Sequence, residues 1–464
     1  MTGKHTYLSE GRIILTLGAL LFCLCTFAAS PTRTLPVVYV TTDGGRAVKD
    51  TETQVPCGVY IDSVQAQYPS LGTAQAPLRA TIKGRGNWTW NGFDKKPYKI
   101  KFDTKQKVLG MPNNRHWCLL AYADDYLGFL KGPAGFALSR AVGLRWTPRQ
   151  VPVELVLNGK YMGLYFLTEH VRIASHRVHI REQASGETHS DSISGGWLVE
   201  IDNYPSAGNI EFDEHNGQHM MVSLCEPDSL SSRQRAYIEQ QLYALNDALY
   251  NPSYPLESLL DITEAAKFYL VQEIMEDCES YHGSCFLYKD RDSLGVADPW
   301  KFGPVWDFGN AYDRHQETWI YDNPPFAQYW IRQLATSPLF RQALEEQWYI
   351  FYHDYKEPVR AELTAWAESV AEAARNDARV WNGTQGYQDN SDMTAKRDKF
   401  FRRYDWRIQW LYSQWGEGTK PVTYDLEEVE SQKPESESTK LLRDGQLYLM
   451  YKGQMYDVRG QRVR

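Results

Sequence analysis

The chain predicts an α+β fold, with strands in its first part and helices later. Three observations carry this. Val151 to Leu157 and Tyr161 to Thr168 are β-rich runs joined by Asn158-Gly159, the signature of a two-residue hairpin turn. From Tyr98 to Phe102, Tyr98, Ile100 and Phe102 alternate with Lys99 and Lys101, the two-residue period of a half-buried strand. Helical spacing of apolar residues then dominates Ser231 to Tyr250, Ile262 to Met275, Leu339 to Ala374 and Lys396 to Trp415.

At 464 residues and 42% apolar content, the chain has room for one large domain with appendages, or for two domains. A net charge of −8 argues against nucleic acid as a partner, which needs a broad basic face. The N-terminus has the pattern of a signal peptide over residues 1–29: Lys4 and Arg12, an apolar run from Ile13 to Ala28, then small residues Ala28, Ala29 and Ser30. That run is short for a membrane span, so the expectation is export to the periplasm, cell surface or medium with no transmembrane segment after cleavage. An uncleaved anchor is the alternative. Cys57, Cys118, Cys225, Cys278 and Cys285 are scattered, with neither a disulfide framework nor zinc spacing.

In chain order, Leu35 to Asp62 reads as strands on one edge of a sheet, broken by Gly44-Gly45 and Pro56. Leu109 to Pro112 is a turn, and Phe129 to Val142 a helix with Gly143 as its C-cap. Gly195-Gly196 leads into a strand from Trp197 to Ile201, ending at Asp202. A helix break is expected near Pro358, where the backbone N–H is missing. The main domain covers 35–415, an acidic Ser/Pro-bearing linker 416–438, and a tail of hairpin character 439–464, with Asp444-Gly445 and Lys452-Gly453 as turns.

The chemistry concentrates between Val271 and Asp313. Glu273, Glu276, Asp277 and Glu279 crowd seven positions at a helix end. Further on, the apolar run Phe302 to Trp306, read as a short strand, delivers Asp307 before a Phe-Gly pair. A carboxylate projecting from such an open backbone can meet a divalent cation and a phosphate. Lys99 and Lys101 share the polar face of their strand and can hold ammonium groups over a cleft. The competing reading makes the acids helix caps and turn fillers, and the lysines a solvated strand face.

Seven stretches together resemble the CotH kinase-like family: KGRGNWTW, KKPYKIKF, LGMPNNRHWCLLAYADD, VELVLNGKYMGLYFLTEHV, GGWLVEID, ESYHGSCFLYKD and KFGPVWDFGNAYD. The resemblance spans roughly residues 35–415 and implies an atypical protein-kinase-like fold using ATP with Mg or Mn. It also implies a protein substrate phosphorylated on Ser or Thr. By the same resemblance Asp307 is the metal-binding aspartate, with Asn310 as a second polar ligand. Lys99, with Lys101 as the alternative, contacts phosphate, and Glu169 holds that lysine. The family's catalytic aspartate, just before the Tyr-x-x-Ser segment, falls on Glu279, one methylene longer, with Asp277 two residues earlier. Some relatives act as surface adhesins, so a binding protein without catalysis is the second reading. A third, prompted by 30 Tyr and 15 Trp, is a carbohydrate-active protein with paired carboxylates. The tail resembles C-terminal segments of exported Bacteroidales proteins, which implies a sorting signal.

If the signal pattern is read correctly, intact-mass analysis of the exported protein will show the loss of about thirty residues, the usual signal length. A full-length product in the membrane fraction would overturn that reading.

Overall fold

The computed structural model describes residues 34–63, 68–204, 208–322 and 328–421, together with the backbone of four short strands between 438 and 463. The expected signal peptide, residues 422–437 of the linker and the expected turns at Asp444-Gly445 and Lys452-Gly453 lie outside the described residues.

The β-rich part is a barrel of seven strands: β1 (Val37–Thr42), β2 (Val55–Asp62), β3 (Leu78–Gly84), β4 (Tyr98–Val108), β5 (Met111–Leu120), β6 (Gln150–Leu157) and β7 (Lys160–Glu169). The short helix α1 (Trp88–Gly92) lies between β3 and β4, and α2 (Lys131–Ala141) between β5 and β6. The strand order is β1-β2-β3-β4-β5-β7-β6, closed by parallel pairing of β1 with β6 from Val37 opposite Glu154 to Val40 opposite Leu157. This corrects the expectation that Leu35 to Asp62 forms a sheet edge. Strand patterning fixes which side chains turn inward, but not a partner more than a hundred residues away. Ile82, Ile100, Trp117, Val153 and Leu167 fill the barrel. By the strand alternation, Lys99 and its neighbour in register, Cys118, face outward.

The second half wraps helices around an antiparallel sheet. The chain runs through α3 (Ser190–Ile193), β8 (Trp197–Ile201), β9 (Ile210–Asp213), β10 (His219–Glu226), α4 (Ser232–Tyr250), α5 (Ile262–Ile274), β11 (Cys285–Lys289) and β12 (Lys301–Phe302), giving a sheet of order β12-β11-β8-β10-β9. It continues through α6 (Ile331–Leu334), α7 (Pro338–Ile350), α8 (Lys356–Trp381) and α9 (Met393–Trp415). The run Phe302 to Trp306 is a strand only at its first residue. Pro304 has no N–H to extend the ladder, so Asp307 sits on a loop rather than a strand end. Between α7 and α8 the helix widens into a π turn at Phe351–Tyr355, just ahead of Pro358, where the expected break becomes a local unwinding. In the tail, β13 (Ser438–Arg443), β14 (Gln446–Tyr451), β15 (Gln454–Tyr456) and β16 (Arg462–Val463) form an antiparallel sheet of four strands, two more than a hairpin. The five cysteines among the described residues are free, and no described helix is long and apolar enough to cross a membrane.

A buried ion pair ties barrel to helices. Lys95 Nζ donates to Asp377 Oδ2 at 2.8 Å, with both side chains 0% exposed. Asp377 Oδ1 accepts the Leu164 N–H at 2.8 Å, and Tyr387 donates its hydroxyl to Oδ2 at 2.8 Å. Gly163 lets α8 come this close to β7: a Cβ there would overlap Asp377 Oδ1. The ammonium also lies over the rings of Phe129, Tyr165 and Tyr387. Removing one partner leaves a buried charge alone, so Lys95→Met or Asp377→Asn will destabilise by about 3–5 kcal/mol. Urea denaturation measures this, and the double replacement Lys95→Met, Asp377→Leu will recover much of the loss. Additive losses would show that the pair is not the inter-half clamp.

Candidate functional site

Between the outer face of β4–β5 and the β8–β11 sheet lies a cleft of about 990 Å³. It is lined by opposed charges. Arg85, Lys99, Lys101, Arg115 and Arg172 line it as cations, and nine carboxylates line it too: Glu226 and Asp313, paired with Arg172 and Lys131, then Asp228, and six more, Asp124, Glu200, Asp202, Asp277, Glu279 and Asp307. Among the described residues none of these six carboxylates forms an ion pair, and neither do Arg85, Lys99 and Lys101.

Two of the carboxylates, Asp277 and Glu279, reach the cleft through a sharp stop at the end of α5. Asp261 caps its start, its side chain accepting the Glu264 N–H at 3.1 Å. At the far end Glu276 takes φ 49°, the left-handed conformation that glycine usually supplies. The Glu276 and Asp277 N–H groups close back on the Glu273 and Gln272 carbonyls at 3.1 and 3.0 Å. The Gln316 N–H holds the Glu276 carboxylate at 2.7 Å. A non-glycine residue in this conformation carries strain of roughly 1 kcal/mol. The bend turns Asp277 and Glu279 out of the helix and into the cleft.

Glu279 sits between two amides, Asn203 Nδ2 at 3.3 Å and Asn310 Nδ2. Burial, then the nearby Asp307 charge, pushes its carboxyl up to about 7. Asp277 is driven well above the carboxylate range by burial and by the Glu279 and Asp307 charges. Its Oδ1 accepts the Glu279 N–H at 3.4 Å. Asp307 is exposed in the cleft, its Oδ1 accepting the Gly309 N–H at 3.0 Å. The next residue, Phe308, turns away and packs against Phe136 of α2, with ring centroids 6.2 Å apart. It occupies space that a side chain at Gly135 would fill, since a Cβ there would overlap the Phe308 ring.

On the opposite wall burial lowers the Lys99 pKa, and the charges of Lys83, Arg85 and Arg172 lower it further. Burial likewise depresses His116, to about 3, and His170, so both imidazoles in this wall are neutral. Arg85 lies over the Trp306 ring at 4.9 Å. An anion with several acidic oxygens would relieve this crowding of positive charge.

The fold thus brings Lys99, Lys101, Asp277, Glu279, Asp307 and Asn310 to one cleft. Glu169 is not there. It is buried on the other face of the strand system, opposite Trp117, where its Oε2 accepts the Arg149 N–H at 3.0 Å and its Oε1 faces Arg177 Nε at 3.8 Å. Lys99 aligns through Cys118 with Thr168, and one residue along a strand reverses the face. Glu169 therefore does not hold Lys99. The residue reading missed Arg85, Arg172, Asp124 and Gln272. Arg85, between two glycines, and Asp124, in an acidic doublet, gave a local signal. The Gln272 amide gave none; it is 3% exposed, lines the cleft and has an Oε1 without a partner.

Among the described residues no three His, Cys, Asp or Glu side chains form a ready metal cage. The donor set instead fits a cation held by one or two carboxylates that keeps its waters and takes phosphate oxygens, as Mg²⁺ does. Uncompensated carboxylates facing uncompensated cations are the observation behind that fit.

The family model described as CotH kinase protein matches residues 82–406, and the chain belongs to this family. The match runs from within β3 to within α9 and includes every cleft residue named above. No curated protein matches the chain.

The carboxyl shifts make stability depend on pH. Burial raises Asp124 to about 6, Glu279 to about 7 and Glu200 to about 8, from ordinary values of 3.8, 4.5 and 4.5. The stability tied to their protonated forms is complete below the ordinary values and is lost as pH rises through the folded ones. Above 6.5, the ordinary histidine value, the depressed imidazoles no longer contribute. Without divalent cation the melting temperature will therefore fall between pH 6.5 and 8. Added Mg²⁺ or Mn²⁺ will restore more of it at pH 8 than at pH 6.5. A flat profile, or equal metal effects at both pH values, would remove the carboxylate crowding from the account.

Proposed function

We propose that this member of the CotH kinase protein family is an exported, ATP-dependent protein kinase acting on Ser or Thr of a protein substrate. One observation carries the reading: unpaired cations on the barrel face unpaired carboxylates across a single cleft. A nucleotide triphosphate with its divalent cation has the charge pattern to satisfy both walls.

In this reading Lys99 and Arg85 bind phosphate oxygens and orient the terminal phosphoryl group, while Lys101 supports the same wall. Asp307 holds the cation, with the Asn310 side-chain oxygen beside it. Bound ATP supplies the transferable phosphoryl group and its cation spreads the charge that develops on the phosphate oxygens. Glu279 accepts the proton of the acceptor hydroxyl as its oxygen bonds to phosphorus and the bond to ADP breaks. Its raised pKa suits that task, since a base poised near the working pH is both available and strong enough. Asp277, two residues earlier, bonds to the Glu279 N–H and orients the base. The longer glutamate reaches this position held by Asn203 and Asn310, which offset its added freedom. Export rests on the leader pattern.

Labelled-phosphate transfer and nucleotide binding, each with Mg²⁺ and with Mn²⁺, test the assignment. Asp307→Asn will abolish cation-dependent nucleotide binding. Glu279→Gln will keep that binding while transfer falls by roughly a hundredfold or more, the scale of a lost general base. A wild type that binds nucleotide yet phosphorylates neither itself nor mixed Ser/Thr substrates would instead support a surface binding protein of the same fold.

A further inference from the structure

The loop bearing Asp307 follows a two-residue strand and has no ladder of its own to hold it. What holds it comes from the first turn of α2. Lys131 is 4% exposed in its side chain, and its Nζ donates to the Gly309 carbonyl at 2.7 Å and to Asp313 Oδ1 at 2.7 Å. It thus spans Gly309 to Asp313, the segment containing Asn310. The ammonium also lies 4.5 Å from the centre of the Tyr126 ring, whose hydroxyl donates to the Tyr312 carbonyl at 3.0 Å. Lys131 is itself fixed, because Asp125 Oδ2 accepts its backbone N–H at 2.9 Å and Asp125 Oδ1 the Leu127 N–H at 2.7 Å.

We propose that Lys131 is a positioning residue for the cation site, setting the Asp307–Asn310 loop by gripping Gly309 and Asp313 from the start of α2. This rests on the reading of Asp307 as the cation-holding residue. Lys131 is too enclosed by the loop to serve as a general surface charge, and both acceptors lie within six residues of Asp307. Its charge opposes the role that its geometry supports. A nearby ammonium repels a divalent cation, so a purely electrostatic Lys131 weakens metal binding and its loss would tighten it. A Lys131 that positions the loop strengthens binding, and its loss weakens it. The sign separates the two.

The test titrates Mn²⁺ into the full chain with a non-hydrolysable ATP analogue, by calorimetry, for wild type, Lys131→Met, Lys131→Arg, Asp307→Asn and the Lys131→Met, Asp307→Asn double variant. Lys131→Met should weaken Mn²⁺-dependent analogue binding by roughly ten- to a hundredfold, the range for residues that orient a metal ligand. Lys131→Arg, which still donates to both oxygens, should recover most of it. Once Asp307 is replaced, Lys131→Met should change nothing further. If Lys131→Met does not fold, Asp313→Asn gives the same sign with a smaller loss, because it removes one of the two contacts at a residue 39% exposed. Unchanged or tighter binding in the folded Lys131 or Asp313 variant, with Asp307→Asn still abolishing it, overturns the positioning role alone. If Asp307→Asn leaves Mn²⁺-dependent binding intact, the reading of Asp307 falls and the role of Lys131 falls with it.

Discussion

The Lys95–Asp377 ion pair is the constraint on which the cleft depends. Lys95 lies four residues before Lys99 on the chain, and the pair joins the bend ahead of β4 to α8, with a β7 N–H and the Tyr387 hydroxyl completing the shell of the carboxylate. The larger apolar core crosses the junction, with Leu120, Leu164 and Phe166 of the barrel packed in one cluster with residues of α5, α8 and α9. The desolvated charge pair adds direction to that packing, because it is satisfied in only one arrangement. A second buried pair does similar work inside the helical half. Arg407 of α9 bonds to the Glu273 carboxylate and carbonyl and to the carbonyls of Gln316 and Thr318, fixing α5 and the segment after the Asp307 loop.

Given that frame, the cleft is a place where charge has been separated rather than neutralised. Surface ion pairs are plentiful elsewhere on the molecule, as at Arg79–Asp43 and Arg145–Asp261. In the cleft, burial and then repulsion between carboxylates raise the pKa of Asp277 and Glu279, while burial and then neighbouring cations push Lys99 in the opposite direction. Such an arrangement costs stability in the empty protein, and a ligand of mixed charge offsets that cost. The membership of the chain in the CotH kinase protein family supplies a ligand class with that charge pattern.

Much of this was legible in the sequence because local rules govern it. The hairpin at Asn158-Gly159, the alternation around Lys99 and the helical periods of α4, α5 and α9 each follow from patterns a few residues wide. Asp277, Glu279, Asp307 and Asn310 were found because acids crowd one stretch and because seven ordered stretches resemble one family. What escaped depends on distance along the chain. Barrel closure needs a parallel partner far downstream, and the Glu169–Lys99 contact that the resemblance implies fails because strand register turns Glu169 to the opposite face. Lys131 read as one more helical residue. Its importance comes from a carbonyl and a carboxylate nearly two hundred positions later.

The closing seam of the barrel has a consequence for the order in which the protein assembles. Strand β1 has one neighbour close behind it, β2, but its other edge stays bare until β6 arrives. Closing that chain segment costs entropy before any of the seam bonds form, so sealing the barrel is a late event and a slow one relative to the hairpins. Until then the free side of β1, with the apolar run Val37, Val38 and Val40, offers unpaired backbone to any passing strand. The interval between synthesis of β1 and of β6 is therefore the period in which this chain is most open to mispairing with its own copies.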